Sequence, residues 1–136
     1  MLRPAVLADI PRLLAIRDAA GADALSDPAL ATTAELTRLI AAGAVLVWDE
    51  SDQTAGFAAI DKGDGAIRAL LVASDQRSKG IGRELLAAAC AGLRDAGHHI
   101  ATLSLPAGGS AERHYRSAGW REVQRGTGGL VLQKPL

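Results

Sequence analysis

The stretch from Leu70 to Leu93 constrains the fold more than any other part of this chain. Ala69-Leu70-Leu71-Val72-Ala73 is a short apolar run, suited to a strand covered on both faces. Ser74-Asp75 interrupts it. Gln76-Arg77-Ser78-Lys79-Gly80-Ile81-Gly82 follows, basic and glycine-bearing. From Ile81 the apolar period becomes helical: Ile81, Leu85, Leu86, Ala89 and Leu93 share one arc, with Arg83, Glu84, Arg94 and Asp95 outside it. The reading is strand, turn, helix. A helix N-terminus exposes unpaired backbone N–H groups and the positive end of a dipole. Glycines let a charged ligand approach that backbone, and Arg77 and Lys79 add positive charge. The stretch therefore predicts an anion site, most naturally for a pyrophosphate. The plainer alternative is an ordinary glycine-containing strand–helix turn with solvated basic residues.

The remaining segments alternate in the same way. Leu2-Arg3-Pro4 suits a short first strand. Asp9 is placed to cap a helix whose first turn accepts Pro11, with Ile10, Leu13, Leu14 and Ile16 on its apolar side. Gly21 to Asp27 reads as a loop, and Pro28 as a helix start or turn. Thr32-x-x-Glu35 is a capping box for a second helix carrying Leu36, Leu39 and Ile40, with Gly43 as its stop. Three strands follow: Ala44–Trp48, Thr54–Ile60 and Ile67–Ala73. The acidic turn Asp49-Glu50-Ser51-Asp52 and the tight turn Asp61–Gly65 join them. Asp and Gly favour such turns for backbone reasons, so these carboxylates read as solvated hairpin residues and not as metal ligands. Gly97 ends the central helix. His98 and His99 lead into a strand at Ile100–Leu105 and, being adjacent, point to opposite faces, which makes them a poor metal pair. Ser110 is placed to cap a short helix, Ala111 to Ala118, closed by Gly119. Trp120–Gln124 and Leu130–Gln133 finish as two strands joined by the loop 125–129.

Zero net charge, from 15 basic and 15 acidic residues, gives no general electrostatic footprint for nucleic acid or an anionic membrane. The local excess at Arg77 and Lys79 thus reads as a site. The chain is long enough for one domain, residues 1–136, burying about two-thirds of its unfolded surface. Its single cysteine, Cys90, excludes an intrachain disulfide and fits a reducing cytoplasm. Cys90 lies at the edge of the helical arc and reads as a packing residue. Asp9 interrupts any signal-peptide core, and the apolar run Leu39–Trp48 falls far short of the ~18 residues of a membrane span. The expected location is cytoplasmic. No repeat, low-complexity tract or linker is visible.

Arg77, Gly80 and Gly82 match the spacing Gln/Arg-x-x-Gly-x-Gly/Ala, and here the chain resembles the GNAT superfamily of acetyl-CoA-dependent N-acetyltransferases. Leu70-x-Val72 is similar to the family's fourth-strand ending. Ala111-Glu112-Arg113-His114-Tyr115-Arg116-Ser117-Ala118-Gly119-Trp120 resembles its Ala-x-x-Phe-Tyr-x-x-x-Gly-Phe segment. The order β-α-α-β-β-β-α-β-α-β-β resembles the family fold over nearly the whole chain: an α/β (α+β) class with a mixed central sheet splayed between its fourth and fifth strands. The resemblance implies acetyl-CoA as cosubstrate and no metal. It assigns Leu70, Leu71 and Val72 to the pantetheine arm through backbone groups, and Arg77, Ser78, Lys79, Gly80, Ile81 and Gly82 to the pyrophosphate. It makes Tyr115 the general acid for the CoA thiolate. It implies direct attack by an amine within a ternary complex. The acceptor would be a small-molecule amine, such as an amino acid, or a protein amine, and a homodimer through the last strands fits the pattern.

Four positions depart from that pattern. Gly108 stands where many relatives carry an Asn that touches pantetheine, Ser74 where a Pro follows the strand, and His114 where a Phe precedes the tyrosine. Arg68 stands on the fourth strand, where relatives often place a Glu as general base. Asp61 and Asp64 belong to the turn at that strand's far end and are poor substitutes. The base is then a water chain or a carboxylate from the first two helices, unless the amine arrives neutral. Arg68 reads either as a clamp for an acidic acceptor or as an exposed strand residue. The rival from another class is a non-catalytic acyl-CoA-binding module that regulates a partner protein. A dinucleotide-binding Rossmann enzyme is weaker, because Leu85 occupies the third glycine position. A Walker-type NTPase is excluded by the missing Gly-Lys-Ser/Thr loop.

Overall fold

A computed structural model describes residues 1–20, 26, 31–76, 79–126 and 129–136. Its elements are β1 (Leu2–Pro4), α1 (Ile10–Ala19), α2 (Thr33–Ala41), β2 (Val45–Glu50), β3 (Gln53–Asp61), β4 (Ala66–Val72), α3 (Ile81–Asp95), β5 (Ile100–Leu105), α4 (Ser110–Ser117), β6 (Arg121–Gly126) and β7 (Gly129–Pro135). The element order is the one expected from the sequence. The strands form one mixed sheet in the order β1-β2-β3-β4-β5-β7-β6, in which β4 and β5 are the parallel neighbours.

The centre of the sheet is apolar on both sides, so a layer of helices is needed on each. Every residue of β3 from Thr54 to Ile60 is buried. A Cβ added to Gly56 would lie 3.0 Å from Leu85 of α3, and one on Gly92 would meet Ile60. Gly56, Ala58 and Ile60 therefore face α3, and the alternate residues, Phe57 and Ala59, face α1 and α2. The arc expected on α3 is the one buried: Ile81, Leu85, Ala89 and Leu93. Gly56 is what lets α3 lie this close. Its Cβ would also stand 2.8 Å from the Leu71 carbonyl oxygen, a backbone atom with no room to give. Gly56→Ala is expected to destabilise the protein by about 1–3 kcal/mol, read as a lower denaturant midpoint at unchanged slope.

Local signals were met with a few shifts. Thr32 Oγ1 accepts the Glu35 N–H at 3.1 Å and starts α2, but the Glu35 carboxylate turns to Arg38, so only half of the capping box forms. Asp9 makes no cap to α1. Its carboxylate reaches back to the Val6 N–H at 2.8 Å, closing a 3-10 turn over Leu7–Asp9, and holds Arg3 at 2.9 Å. Asp49 and Glu50 belong to β2 and not to the turn, because Asp49 faces Arg3 of β1 at 2.5 Å and Thr54 of β3 at 3.0 Å. The β2–β3 turn is only Ser51-Asp52, both at positive φ (52° and 66°), as a two-residue hairpin turn of the primed type requires. Gly109, not Ser110, stands at the N-cap of α4. The last two strands run further into their hairpin than expected, to Gly126 and from Gly129. The expected loop at 21–27 and the start at Pro28 lie outside the described residues, apart from Ser26.

Candidate functional site

The site is built where β4 and β5 part. Their pairing covers Ala66–Thr102 and Ile67–Leu103 and does not extend beyond. At the same place β4 is bulged: Ala59 pairs with Ala69 and Ile60 with Ile67, leaving Arg68 as the extra residue. Past the bulge, β4 runs on with β3 alone on one side. The Ala73 N–H donates to the Ala55 carbonyl at 2.7 Å, so by alternation Ala69, Leu71 and Ala73 turn their backbone groups to β3. Leu70 and Val72 turn theirs to the side that β5 has left. Leu71, expected with them to meet the pantetheine arm, turns its N–H and C=O to the β3 ladder.

Leu70 is not left bare. Its N–H donates to the Ser26 hydroxyl at 2.9 Å, and that hydroxyl lies 3.4 Å from its carbonyl oxygen. Ser26 was missed in the sequence. Nothing local marks it, and its partner lies 44 residues away.

After Val72 the chain makes a 3-10 turn at Ser74–Gln76 and enters α3. Arg77 and Ser78 lie outside the described residues. Lys79 is exposed and its ammonium donates to Gln76 Oε1 at 2.9 Å. Gly80 is the N-cap of α3, in the left-handed region at φ 80°, ψ 5°. It has no side chain to cap the helix, and among the described residues nothing beyond its chain neighbours lies within 4 Å of where a Cβ would stand. The Glu84 N–H is the one that bonds back to the Gly80 carbonyl at 3.1 Å. The N–H groups of Ile81, Gly82 and Arg83 precede it in the first turn, whose N–H groups have no partner within a helix. Ile81 buries its side chain in the core while its backbone opens the helix; Gly82 is partly exposed. The arrangement can hold an anion against backbone donors, and an extended amide chain along the β4 edge.

Tyr115 sits on α4, 1% exposed, with its ring edge-on to Trp120 at 5.6 Å and to His114 at 5.8 Å. Burial pushes its phenol well above the ordinary tyrosine range, and the Cys90 thiol adds to the shift. Cys90 of α3 is half-buried against the core, and burial raises its thiol too, in keeping with a packing residue. His114 is exposed beside Tyr115.

The departures resolve into contacts. The Gly108 N–H donates to Glu112 Oε1 at 3.0 Å, and Glu112 also holds Arg116 and Arg125, so its carboxyl lies below the usual range. Arg68 points to α2 from its bulge. It pairs with Asp64, lies 3.6 Å from Asp61 and 3.9 Å from Glu35, and Arg38 bridges Glu35 and Asp61. Arg68 is therefore neither a solvated strand residue nor a free clamp for an acidic acceptor: three carboxylates already share it.

The family model for the acetyltransferase (GNAT) domain matches residues 19–128. A search of curated proteins gives no match. Among solved structures, the chain is similar to ribosomal-protein-alanine N-acetyltransferase from Brucella melitensis: 28% identity, 100% of this chain and 99% of that one, TM-score 0.74. It is similar in fold to PaiA N-acetyltransferase from Thermoplasma acidophilum, solved with coenzyme A, at 15% identity, 100% and 98% coverage and TM-score 0.81. A third likeness is yncA from Salmonella typhimurium, solved with its cofactor acetyl-CoA, at 23% identity, 100% and 93% coverage and TM-score 0.72.

Proposed function

Because the chain belongs to the GNAT acetyltransferase family, we propose that it moves an acetyl group from acetyl-CoA to a primary amine by direct attack in a ternary complex. One observation carries this reading. The β4 edge at Leu70 and Val72, which β5 leaves, is followed by a 3-10 turn at Ser74–Gln76 and, at Gly80, by a helix N-terminus with no side-chain cap among the described residues. A strand edge followed by an anion site suits a pantetheine arm followed by a pyrophosphate.

Acetyl-CoA supplies an acyl group activated as a thioester. The residues of this chain hold it and manage protons. Val72 and Leu70 offer backbone donors and acceptors to the arm. Lys79, Gly80 and Gly82, with Arg77 and Ser78, receive the pyrophosphate. As the amine nitrogen bonds to the carbonyl carbon, the C–S bond breaks and Tyr115 gives its hydroxyl proton to the leaving sulfur. The proton lost by the amine restores the phenol through solvent. Burial suits Tyr115 to this task, since it keeps the phenol protonated over the working pH range. No carboxylate of the Arg68 cluster is a good base, because Glu35, Asp61 and Asp64 share two arginines. The reading is therefore of an acceptor deprotonated through water.

The test is acetyl-CoA-dependent thiol release across a panel of free amino acids, polyamines and peptides with free N-terminal amines. Acceptor-dependent release is expected. Tight acetyl-CoA binding with no release for any acceptor would favour the binding-module alternative, which the engaged carboxylates around Arg68 support.

A further inference from the structure

We infer that the Ser26 hydroxyl and the pantetheine arm of acyl-CoA compete for the same backbone edge, that of Leu70, and that Ser26 thereby sets acyl-CoA affinity. The inference rests on the reading of the β4–β5 gap proposed above. Its observation is one side chain satisfying a strand edge. The Leu70 N–H donates to Ser26 Oγ at 2.9 Å, and the Leu70 carbonyl oxygen lies 3.4 Å from the same hydroxyl. Ser26 is 1% exposed and Leu70 is 1% exposed, so water is not the alternative partner. Leu70 faces away from β3, because the Ala73 N–H is bonded to Ala55 and the ladder alternates. It faces the side on which β5 pairs only with Ala66 and Ile67.

A buried strand edge must place its N–H and C=O somewhere. In β4 a single hydroxyl takes both roles, donor and acceptor, as a neighbouring strand would. An extended amide chain laid along the edge needs those same two groups. One N–H does not serve two acceptors at full strength, so the arm binds Leu70 only as Ser26 leaves it. The bond in the free protein is then subtracted from the binding free energy. Without the hydroxyl, the free protein carries a buried, unpaired Leu70 N–H, and the arm relieves it.

Ser26→Ala is therefore expected to bind acetyl-CoA about two- to tenfold more tightly than wild type by titration calorimetry. Adenosine 3′,5′-bisphosphate, which has no pantetheine arm, is expected to bind both proteins equally. In amide hydrogen exchange, the Leu70 N–H is expected to be protected in free wild type, to lose protection in free Ser26→Ala, and to regain it with acetyl-CoA. If the alanine variant is too unstable to titrate, Ser26→Cys keeps the volume with a weaker acceptor and shifts affinity in the same direction by less. Equal or weaker acetyl-CoA binding in the variants would overturn the competition. So would equal tightening toward both ligands, which would report a general loosening of the fold. Wild type that binds neither ligand would overturn the reading of the gap itself, and this inference with it.

Discussion

Tyr115→Phe is expected to lower kcat by about 10²–10⁴-fold while acetyl-CoA affinity changes by less than about threefold. The substitution removes one oxygen and keeps the ring, so the edge-on packing against Trp120 survives. In the proposed mechanism, what is lost is the proton donor to the leaving sulfur. The raised pKa of the buried phenol does not spoil the match with a thiolate. Desolvation penalises both anions in the same enclosed place, so their difference in basicity moves less than either value. Two readouts follow from Tyr115 being the sole tyrosine of the chain. Phenolate absorbance in the near ultraviolet reports this group alone, and it is expected to stay absent from the folded protein above the ordinary phenol pKa of about 10. Stability follows the same sign. A group whose folded pKa lies above its unfolded one contributes fully below about pH 10, and that contribution is lost as pH rises through the folded pKa. The phenylalanine variant should lack this alkaline loss. An unchanged kcat would remove Tyr115 from the chemistry.

What the sequence reveals here is what local physics decides. Ile81, Leu85, Ala89 and Leu93 are spaced for one helical face, and nothing distant is needed to bury it. Thr32 caps α2 through its own neighbour three residues on. Gly43 and Gly119 stop helices at positive φ, which any reader of glycine would expect. The misplaced details are those settled at a distance. Asp9 looks like a cap for the helix beside it, yet Arg3, held in turn by Asp49 of β2, draws its carboxylate elsewhere. Asp49 and Glu50 have turn chemistry and still lie in a strand, because β1 and β3 flank them. Arg68 is uninterpretable without its bulge, since only the extra residue turns it from the sheet toward α2. Ser26 is the extreme case: an ordinary serine acquires a role from a backbone edge 44 residues away. The divergence of β4 and β5 has no period or turn signal of its own. The resemblance carried it, and the two-residue pairing at Ala66 and Ile67 gives it a physical form.

Gly80→Val is expected to weaken acetyl-CoA binding by about 100-fold or more, the loss of one or two charge-assisted hydrogen bonds worth about 1.5–3 kcal/mol each. Two effects have to be separated. Gly80 lies at φ 80°, where a β-branched residue costs about 1–3 kcal/mol of stability. The fold tolerates this, since domains of ordinary stability have about 5–15 kcal/mol in hand and α3 keeps its buried face. The second effect falls on the ligand. Among the described residues, nothing beyond its chain neighbours lies within 4 Å of the missing Cβ, so a side chain there enters the space through which, in the proposed function, a pyrophosphate approaches the first-turn N–H groups. Gly80→Asn distinguishes the two. Asn adopts the left-handed conformation with little strain but still places a side chain in that space. It is expected to melt near wild type and yet to lose acetyl-CoA binding almost as fully as the valine variant, whereas Gly80→Val should lose both. If Gly80→Asn binds acetyl-CoA as wild type does, the helix entrance is not where the pyrophosphate lies, and the β4 edge would have to hold the cosubstrate without it.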